Sequence, residues 1–546
     1  METIAIILTM LLAVVVSGML VRLSPAPVPL PLVQIALGAV IASFADVALE
    51  LKPDIFFLLF LPPLLFLDGW RIPKEGLFRD KGTILELALG LVILTVVGVG
   101  YFIHWLIPSM PLPVAFALAA IVSPTDPIAV SAIAARVPIP KRLMHILEGE
   151  SLLNDASGLV CMRFAVAAAV SGTFSLFDAF GTFLWVALGG IAIGILTTWT
   201  TALLKNWISR RLGEDTGSQI LISLLIPFGA YILAEHLHCS GILAAVAAGI
   251  SMSYVEQRGQ ALAVTRVRRN AVWDTIQYAA NGIIFVLLGE QLPQLWASAA
   301  QVVRETGHQD PLWLLVYIAA INIALAALRF GWVWVSLRFT LARAARRGEK
   351  PFIPGWRLIA ATSMAGVRGA ITLAGVLTLP LTLSSGAAFP ARDLAILLAA
   401  GVIITSLIAA SVTLPFLLKN LELPPEPSHE AQEDKVRNAA AEAAIRSIES
   451  AQHSLSEGRN DADLYADVGA RIMEIYRQRI DGRMKTGEEA DLVKRMDQIE
   501  RDLRLAGLRA EREAVFRFVR SNQIPDEIGR KLVREIDLLE ARLTPA

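Results

Sequence analysis

Six ionisable residues occupy places where ionisable residues are rare. Asp126, Glu150, Asp155, Arg163, Arg329 and Arg368 each lie inside a long apolar stretch. If these stretches cross a bilayer, each charge costs about 2.5–3.5 kcal/mol on insertion scales, so such residues are kept for a function or for a partner. One of them falls in Ser123-Pro124-Thr125-Asp126-Pro127, where two prolines stand three residues apart. Each proline removes a backbone donor and clashes with the preceding turn, so the helix is expected to open around Thr125 and Asp126. An opening inside a membrane is tolerated where it is buried in protein or lines a polar cavity. Freed carbonyls, a hydroxyl and a carboxylate are suitable ligands for a hard cation. The plainer alternative is a proline kink.

Two more strings carry charge. Glu148-Gly149-Glu150-Ser151-Leu152-Leu153-Asn154-Asp155-Ala156-Ser157-Gly158 opens another apolar stretch. On a helix, Glu150 stands one turn from Asn154 and Ser151 one turn from Asp155, so the four share one broad face. Gly158 continues that face and lets a neighbour approach closely. The alternative is a polar seam between helices, but two carboxylates need a proton or a cation beside them. Ala365-Gly366-Val367-Arg368-Gly369-Ala370-Ile371 supplies a guanidinium between glycines. Buried, it requires a carboxylate or freed carbonyls. Arg163 and Arg329 are expected to be structural, capping carbonyls or pairing inside the bundle.

The elements that position these groups are membrane spans. Only 18% of the 546 residues are charged and 55% are hydrophobic. An average soluble chain carries about 25% charged residues. Mean hydropathy is +0.57. Thirteen spans are read at 4–22, 28–46, 54–68, 84–107, 113–135, 146–171, 178–204, 216–236, 239–255, 272–291, 312–337, 356–384 and 391–418. Most are near the roughly 20 residues that cross the hydrocarbon core. Alternate loops test the count. One set holds clusters such as Arg71, Lys74, Arg79 and Lys81, or Arg258, Arg266, Arg268 and Arg269; the other holds little beyond Lys52, Arg304 and Arg392. Positive loops stay in the cytoplasm, which puts the N-terminus outside and the tail inside. The first apolar run precedes its first positive charge, Arg22, so it reads as a retained helix rather than a leader.

The organisation expected is a transmembrane domain over 1–420 and a helical cytoplasmic tail over 421–546, regulatory or dimer-stabilising, with an unknown partner. If spans 1–6 and 8–13 are inverted repeats of six helices, the broken fifth span maps onto the twelfth. Paired interrupted helices mark the site of a secondary transporter. The net charge is zero, which gives no field for nucleic acid. Cys161 and Cys239 form no metal or disulfide pattern, and no cofactor loop, nucleophile–base pair or ATP motif is present. An enzyme is therefore not expected, nor a cofactor.

The strings SPTDP, EGESLLNDASG and AGVRGAITLAG, on three correctly ordered spans, resemble the monovalent cation:proton antiporter-1 family, the sodium/proton exchangers. The likeness covers about 1–420, and the tail is similar to that of long-tailed bacterial members of the YjcE type. The resemblance implies an all-α polytopic protein of thirteen helices in the bacterial inner membrane, a homodimer among lipids, with a six-helix core bundle that moves against a dimerisation domain. It implies that Asp155 is the ion-binding carboxylate, with Asn154, Ser151, Thr125 and Asp126 around it, and that Na⁺ sits at Asp155, Ser151 and Thr125. It implies an ion pair between Glu150 and Arg368. Where many relatives carry Glu in the third span, this chain has Leu67 followed by Asp68, so no ligand is assigned there. The expected activity is exchange of Na⁺, or Li⁺ or K⁺, for H⁺ by competition at Asp155. Asn154 in place of a second acid implies one-for-one electroneutral exchange. A cation-gated sensor or channel on the same scaffold is the alternative.

Overall fold

A computed structural model describes residues 2–24, 28–44, 53–126, 130, 141–171, 176–257, 262–305, 310, 312–346, 355–383, 386–419, 429–457, 462–484, 488–521 and 523–543. Among these residues there is no strand, only an isolated antiparallel bridge between Thr382 and Ala388. The chain divides into two units, Met1–Glu422 and Leu423–Ala546.

In the first unit the helices are α1 (Glu2–Leu23), α2 (Leu30–Phe44), α3 (Pro53–Arg71), α4 (Lys74–Arg79), α5 (Lys81–Leu85) and, after a π-helical turn at Glu86–Leu91, α6 (Val92–Leu106). Then come α7 (Leu112–Val122), α8 (Lys141–Ser171), α9 (Leu176–Leu212), α10 (Thr216–His236), α11 (Gly241–Gln257) and α12 (Ala263–Glu305). The last are α13 (Trp313–Arg346), α14 (Trp356–Met364), α15 (Ala370–Leu377) and α16 (Arg392–Leu418). Each of the thirteen apolar segments read from the sequence contains helix. Seven helical stretches are long and apolar enough to cross a membrane, and Ile7–Leu23, Leu30–Ser43 and Leu112–Val122 are shorter apolar helices. Polar ends lengthen some spans beyond the hydrophobic run: α12 begins at Ala263, nine residues before the apolar run at 272–291.

Apolar solvent gives helices no hydrophobic drive to associate, so small residues that admit a neighbouring backbone matter most. Two reciprocal glycine pairs show this. Gly69 of α3 lies against the Val246 carbonyl of α11, and Gly249 of α11 lies against the Phe66 carbonyl of α3. Gly38 of α2 meets Val286 of α12, and Gly289 of α12 meets Ile35 of α2. A Cβ at any of the four positions overlaps backbone, so each helix pair is locked at close range.

Two helices break where the sequence predicts it. α7 stops at Val122, and residues 124–126 follow without helical structure. The described residues of the Pro124–Pro127 motif end at Asp126. In the second break, α14 ends at Met364 and α15 begins at Ala370. The breaks cross: the Asp126 N–H donates to the Val367 carbonyl at 2.7 Å.

The second unit contains α17 (His429–Ser456), α18 (Ala462–Met484), α19 (Glu488–Arg520) and α20 (Asp526–Leu543). They pair chiefly as two hairpins, α17 with α18 and α19 with α20.

Candidate functional site

The crossing of the two breaks is the centre of the site. Helices end here because proline denies them a donor on one strand and glycine relaxes the other, and both ends leave polar backbone inside the bundle. Gly369 is required by the approach itself, since a side chain there would run into the Asp126 carboxyl group. Gly158 plays the same part on α8, where Pro124 and the Ala120 carbonyl press against it.

α8 lays Glu150, Ser151, Asn154 and Asp155 along the crossing, all buried. Asn154 Nδ2 donates to Thr125 Oγ1 at 3.0 Å, and Thr125 Oγ1 donates to Glu150 Oε1 at 3.3 Å. The Asn154 side-chain Oδ1 and the Ser123 hydroxyl are buried without a hydrogen-bond partner among the described residues. A buried acceptor left without a donor is costly, and it is the kind of oxygen a dehydrated cation binds. Asp126, Asp68 and Glu150 are the charged groups that act most strongly on Asp155. No Lys or Arg pairs with Asp155 among the described residues.

The Glu150–Arg368 pair implied by the family resemblance is corrected by the structure. Glu150 is held by Arg329 of α13 through two parallel bonds, Nη1 to Oε1 and Nη2 to Oε2, the latter at 2.7 Å. Both side chains are sealed, 1% and 3% exposed. Arg329 Nε also donates to the Thr362 carbonyl at 3.3 Å, and Gly366 leaves room for its side chain. Arg368 takes the other option open to a buried guanidinium. It donates to freed carbonyls, to Val122 at 2.9 Å and to Gly366 at 2.5 Å, one on each broken helix. The physical reason is demand: carbonyls without helical partners need donors, and a bidentate fork matches a carboxylate best. Arg163 of α8 pairs with Glu235 of α10 at 2.9 Å, on a partly exposed surface.

The surroundings show how α8 is held. The Ala88 carbonyl, in the π-helical turn at Glu86–Leu91, accepts from Ser157 Oγ of α8 at 2.6 Å. Glu86, at the start of the same turn, accepts from Ser336 Oγ of α13 at 2.7 Å. Leu67 of α3 is buried in an aromatic cluster with Phe66, Trp70 and Trp273. Asp68 lies within electrostatic range of Asp126, Arg71 and Glu148. The sequence reading left Asp68 unassigned. The signal was its type and place, a carboxylate at the end of an apolar run.

A second polar knot escaped the sequence reading altogether. Glu256 at the end of α11 accepts from Trp70 Nε1 at 2.7 Å and pairs with the buried Arg269 of α12, whose guanidinium lies 5.1 Å from the Trp70 ring. Beside it Lys74 sits over the Tyr254 ring at 4.0 Å. Burial pulls the Lys74 amine below its ordinary pKa, and Glu256 opposes that shift. These residues stand at helix ends, where charge is unremarkable in a sequence and only the fold shows who meets whom.

Comparison with known proteins places this geometry. The family described as "Sodium/hydrogen exchanger, transmembrane" matches residues 7–420. A protein of Escherichia coli named as an uncharacterized Na⁺/H⁺ exchanger, YjcE, is 41% identical, with 100% of this chain and 99% of the relative covered. A sodium, potassium, lithium and rubidium/H⁺ antiporter of Bacillus pumilus is 37% identical, over 99% of this chain and 78% of the relative. Among solved structures, the sodium proton antiporter MjNhaP1 of Methanocaldococcus jannaschii superposes with a TM-score of 0.58 at 18% identity, covering 77% of this chain and 99% of that one. At that identity the likeness concerns the fold. By the span of the family match and the identity to full-length relatives, this chain belongs to the transmembrane sodium/hydrogen exchanger family.

Proposed function

We propose that the protein is a secondary antiporter that exchanges Na⁺, or Li⁺ or K⁺, for H⁺ across the bacterial inner membrane, with Asp155 as the carboxylate for which the two ions compete. The observation that carries this reading is the unequal treatment of two buried acids on α8. Glu150 is neutralised by Arg329, whereas the strongest charged neighbours of Asp155 are carboxylates and it makes no ion pair among the described residues. A buried negative charge without a partner is unstable, so Asp155 takes either a proton or a metal cation.

In this reading Na⁺ is the cargo, held by Asp155, Ser151 and Thr125, with Asn154 and Asp126 completing the surroundings. The orphan Asn154 side-chain Oδ1 supports that donor set. Arg329 keeps Glu150 out of the competition, and Arg368 pins the two broken ends together. The core bundle crosses the dry barrier only when Asp155 is neutral, because an empty carboxylate is costly to carry. This rule couples the two fluxes. With one titrating acid, exchange is one cation for one proton and electroneutral. The opposing gradient drives transport, and no cofactor takes part. The chain works as a homodimer, N-terminus outside and tail in the cytoplasm. The Bacillus pumilus relative's name, which spans four alkali cations, supports a site of limited selectivity.

Purified protein in proteoliposomes with an internal pH dye tests this. Imposed gradients of Na⁺, Li⁺ or K⁺ are expected to drive proton movement without a membrane potential, and Asp155→Asn is expected to abolish it. Exchange at the wild-type rate in the folded variant would overturn the assignment.

A further inference from the structure

The tail carries a surface that the transport reading does not use. On α19, Leu492, Met496, Ile499 and Leu503 are 59, 60, 52 and 68% exposed. Their spacing of four, three and four residues is the seam of a coiled coil. None of the described residues of the tail covers this seam, because α19 packs on α20 through a different face. Arg512 pairs with Asp537 at 2.8 Å and with Glu540, and Val519 abuts Gly529. Arg512 and Val519 lie about 160–180° around the helix from Leu503.

We infer that the occupant is the same seam of a second copy, forming a parallel, in-register two-stranded coiled coil over 489–506. With Leu492 and Ile499 at d and Met496 and Leu503 at a, the flanking g and e positions fall on Arg495 and Glu500. In a parallel pair, g of one strand reaches e of the next heptad on the other. Arg495 therefore meets Glu500 of the second copy, and symmetry makes the contact twice. In the single chain, Arg495 and Glu500 are both exposed, and among the described residues Glu500 pairs with Arg504 of its own helix.

Charge also argues against the other natural cover for an amphipathic helix, a lipid surface. Segment 488–504 holds six carboxylates and four cations, whereas helices that lie on anionic membranes are rich in Lys and Arg on the polar face. The seam is short for an independent coiled coil, which needs three to four heptads. Tethering both tails to one membrane dimer raises their effective concentration and offsets that weakness. The inference thus rests on the homodimer and not on which ion is carried.

The test uses the full-length protein in native membranes, with Cys161 and Cys239 replaced by alanine and single cysteines at Met496, Leu503 or, as the outward control, Arg501. Disulfides need Cβ atoms about 3.5–4.5 Å apart, so mild oxidation is expected to give a covalent dimer at both 496 and 503, and roughly tenfold less at 501. Arg495→Glu is expected to reduce the dimer formed through position 503, and Arg495→Glu with Glu500→Arg to restore it. Equal yields at all three positions, no dimer at 496 and 503, or dimer at only one of them would overturn the parallel seam. So would cross-linking of position 503 to a cysteine at Ile472 within one chain.

Discussion

Glu150 and Asp155 lie five residues apart on the same helix and are equally hidden, yet the fold treats them in opposite ways. Glu150 receives both arms of Arg329 and a hydroxyl from Thr125. Asp155 receives no guanidinium and shares its space with the charges of Asp126 and Asp68. The first arrangement stores a charge permanently; the second leaves a charge to be neutralised from outside. A helix that must carry an ion through a barrier needs both. In the proposed cycle the sealed acid anchors the bundle's own cation, and the unsealed one alternates between ions.

The largest effects should separate the two acids. Asp155→Asn removes a charge that nothing in the protein requires, so exchange is lost while thermal stability in detergent is kept or raised. Glu150→Gln leaves Arg329 buried without a counter-charge. Breaking a buried pair from one side costs about 3–5 kcal/mol, so this variant is expected to lose yield and to melt at a lower temperature. Arg329→Ala should do the same from the other side. Replacing both partners, as Glu150→Leu with Arg329→Met, should recover much of the stability, because apolar pairs of similar volume often substitute for buried ion pairs. If the double variant melts as low as either single one, the pair is more than an anchor and the contrast with Asp155 fails.

Arg368 tests the same contrast at the helix ends. It ties the Val122 and Gly366 carbonyls together and leaves Glu150 to Arg329. Arg368→Lys keeps a charge but loses the planar fork, and is expected to be milder than Arg329→Lys in a melting assay. The reverse order would return Glu150 to Arg368. Asp68 is a smaller case. Its charge acts on the site from α3, outside the broken helices. Asp68→Asn should weaken apparent Na⁺ affinity by up to about tenfold, the scale of 1.4 kcal/mol, without abolishing exchange. An unchanged affinity would remove Asp68 from the ion path.

Much of this was legible in the chain. The broken helices announced themselves through Pro124, Pro127, Gly366 and Gly369, because two prolines three residues apart deny a helix its donors and glycines beside a buried Arg let the backbone leave helical geometry. The shared face of Glu150, Ser151, Asn154 and Asp155 followed from helix phase. Partner choice was not legible. Arg329 and Arg368 are both single arginines in apolar runs, and which of them reaches Glu150 depends on how α13 and the second break pack beside α8. Pairing is a property of tertiary distance, and residue type alone is silent on it. The Trp70–Glu256–Arg269 knot was missed for the same reason, because each member looks ordinary at the end of its own helix.

A third carboxylate completes the series at the smallest scale. Asp215 caps α10 in the loop after α9, where its Oδ2 accepts from the Ser218 N–H at 2.8 Å and from the Ser218 hydroxyl at 2.6 Å. Those bonds hold its carboxyl below the usual carboxylate pKa. A depressed folded-state pKa means that the cap's contribution is fully present above the unfolded value, near 4, and fades as pH falls through the folded one. Protection of the Ser218 amide against hydrogen exchange, corrected for intrinsic rates, should therefore weaken only at acid pH. Asp215→Ala should remove the protection at every pH, and Asp215→Asn should keep it, because Asn caps about as well as Asp. The Asn variant should also lose the acid dependence, since it has no proton to gain. Transport should be untouched in both, because this acid is satisfied by backbone and hydroxyl donors and never exchanges its partner. A transport defect in the Asn variant would mean that compensation by neutral donors does not suffice to keep a carboxylate out of the cycle. The distinction drawn between Glu150 and Asp155 would then rest on position and not on charge.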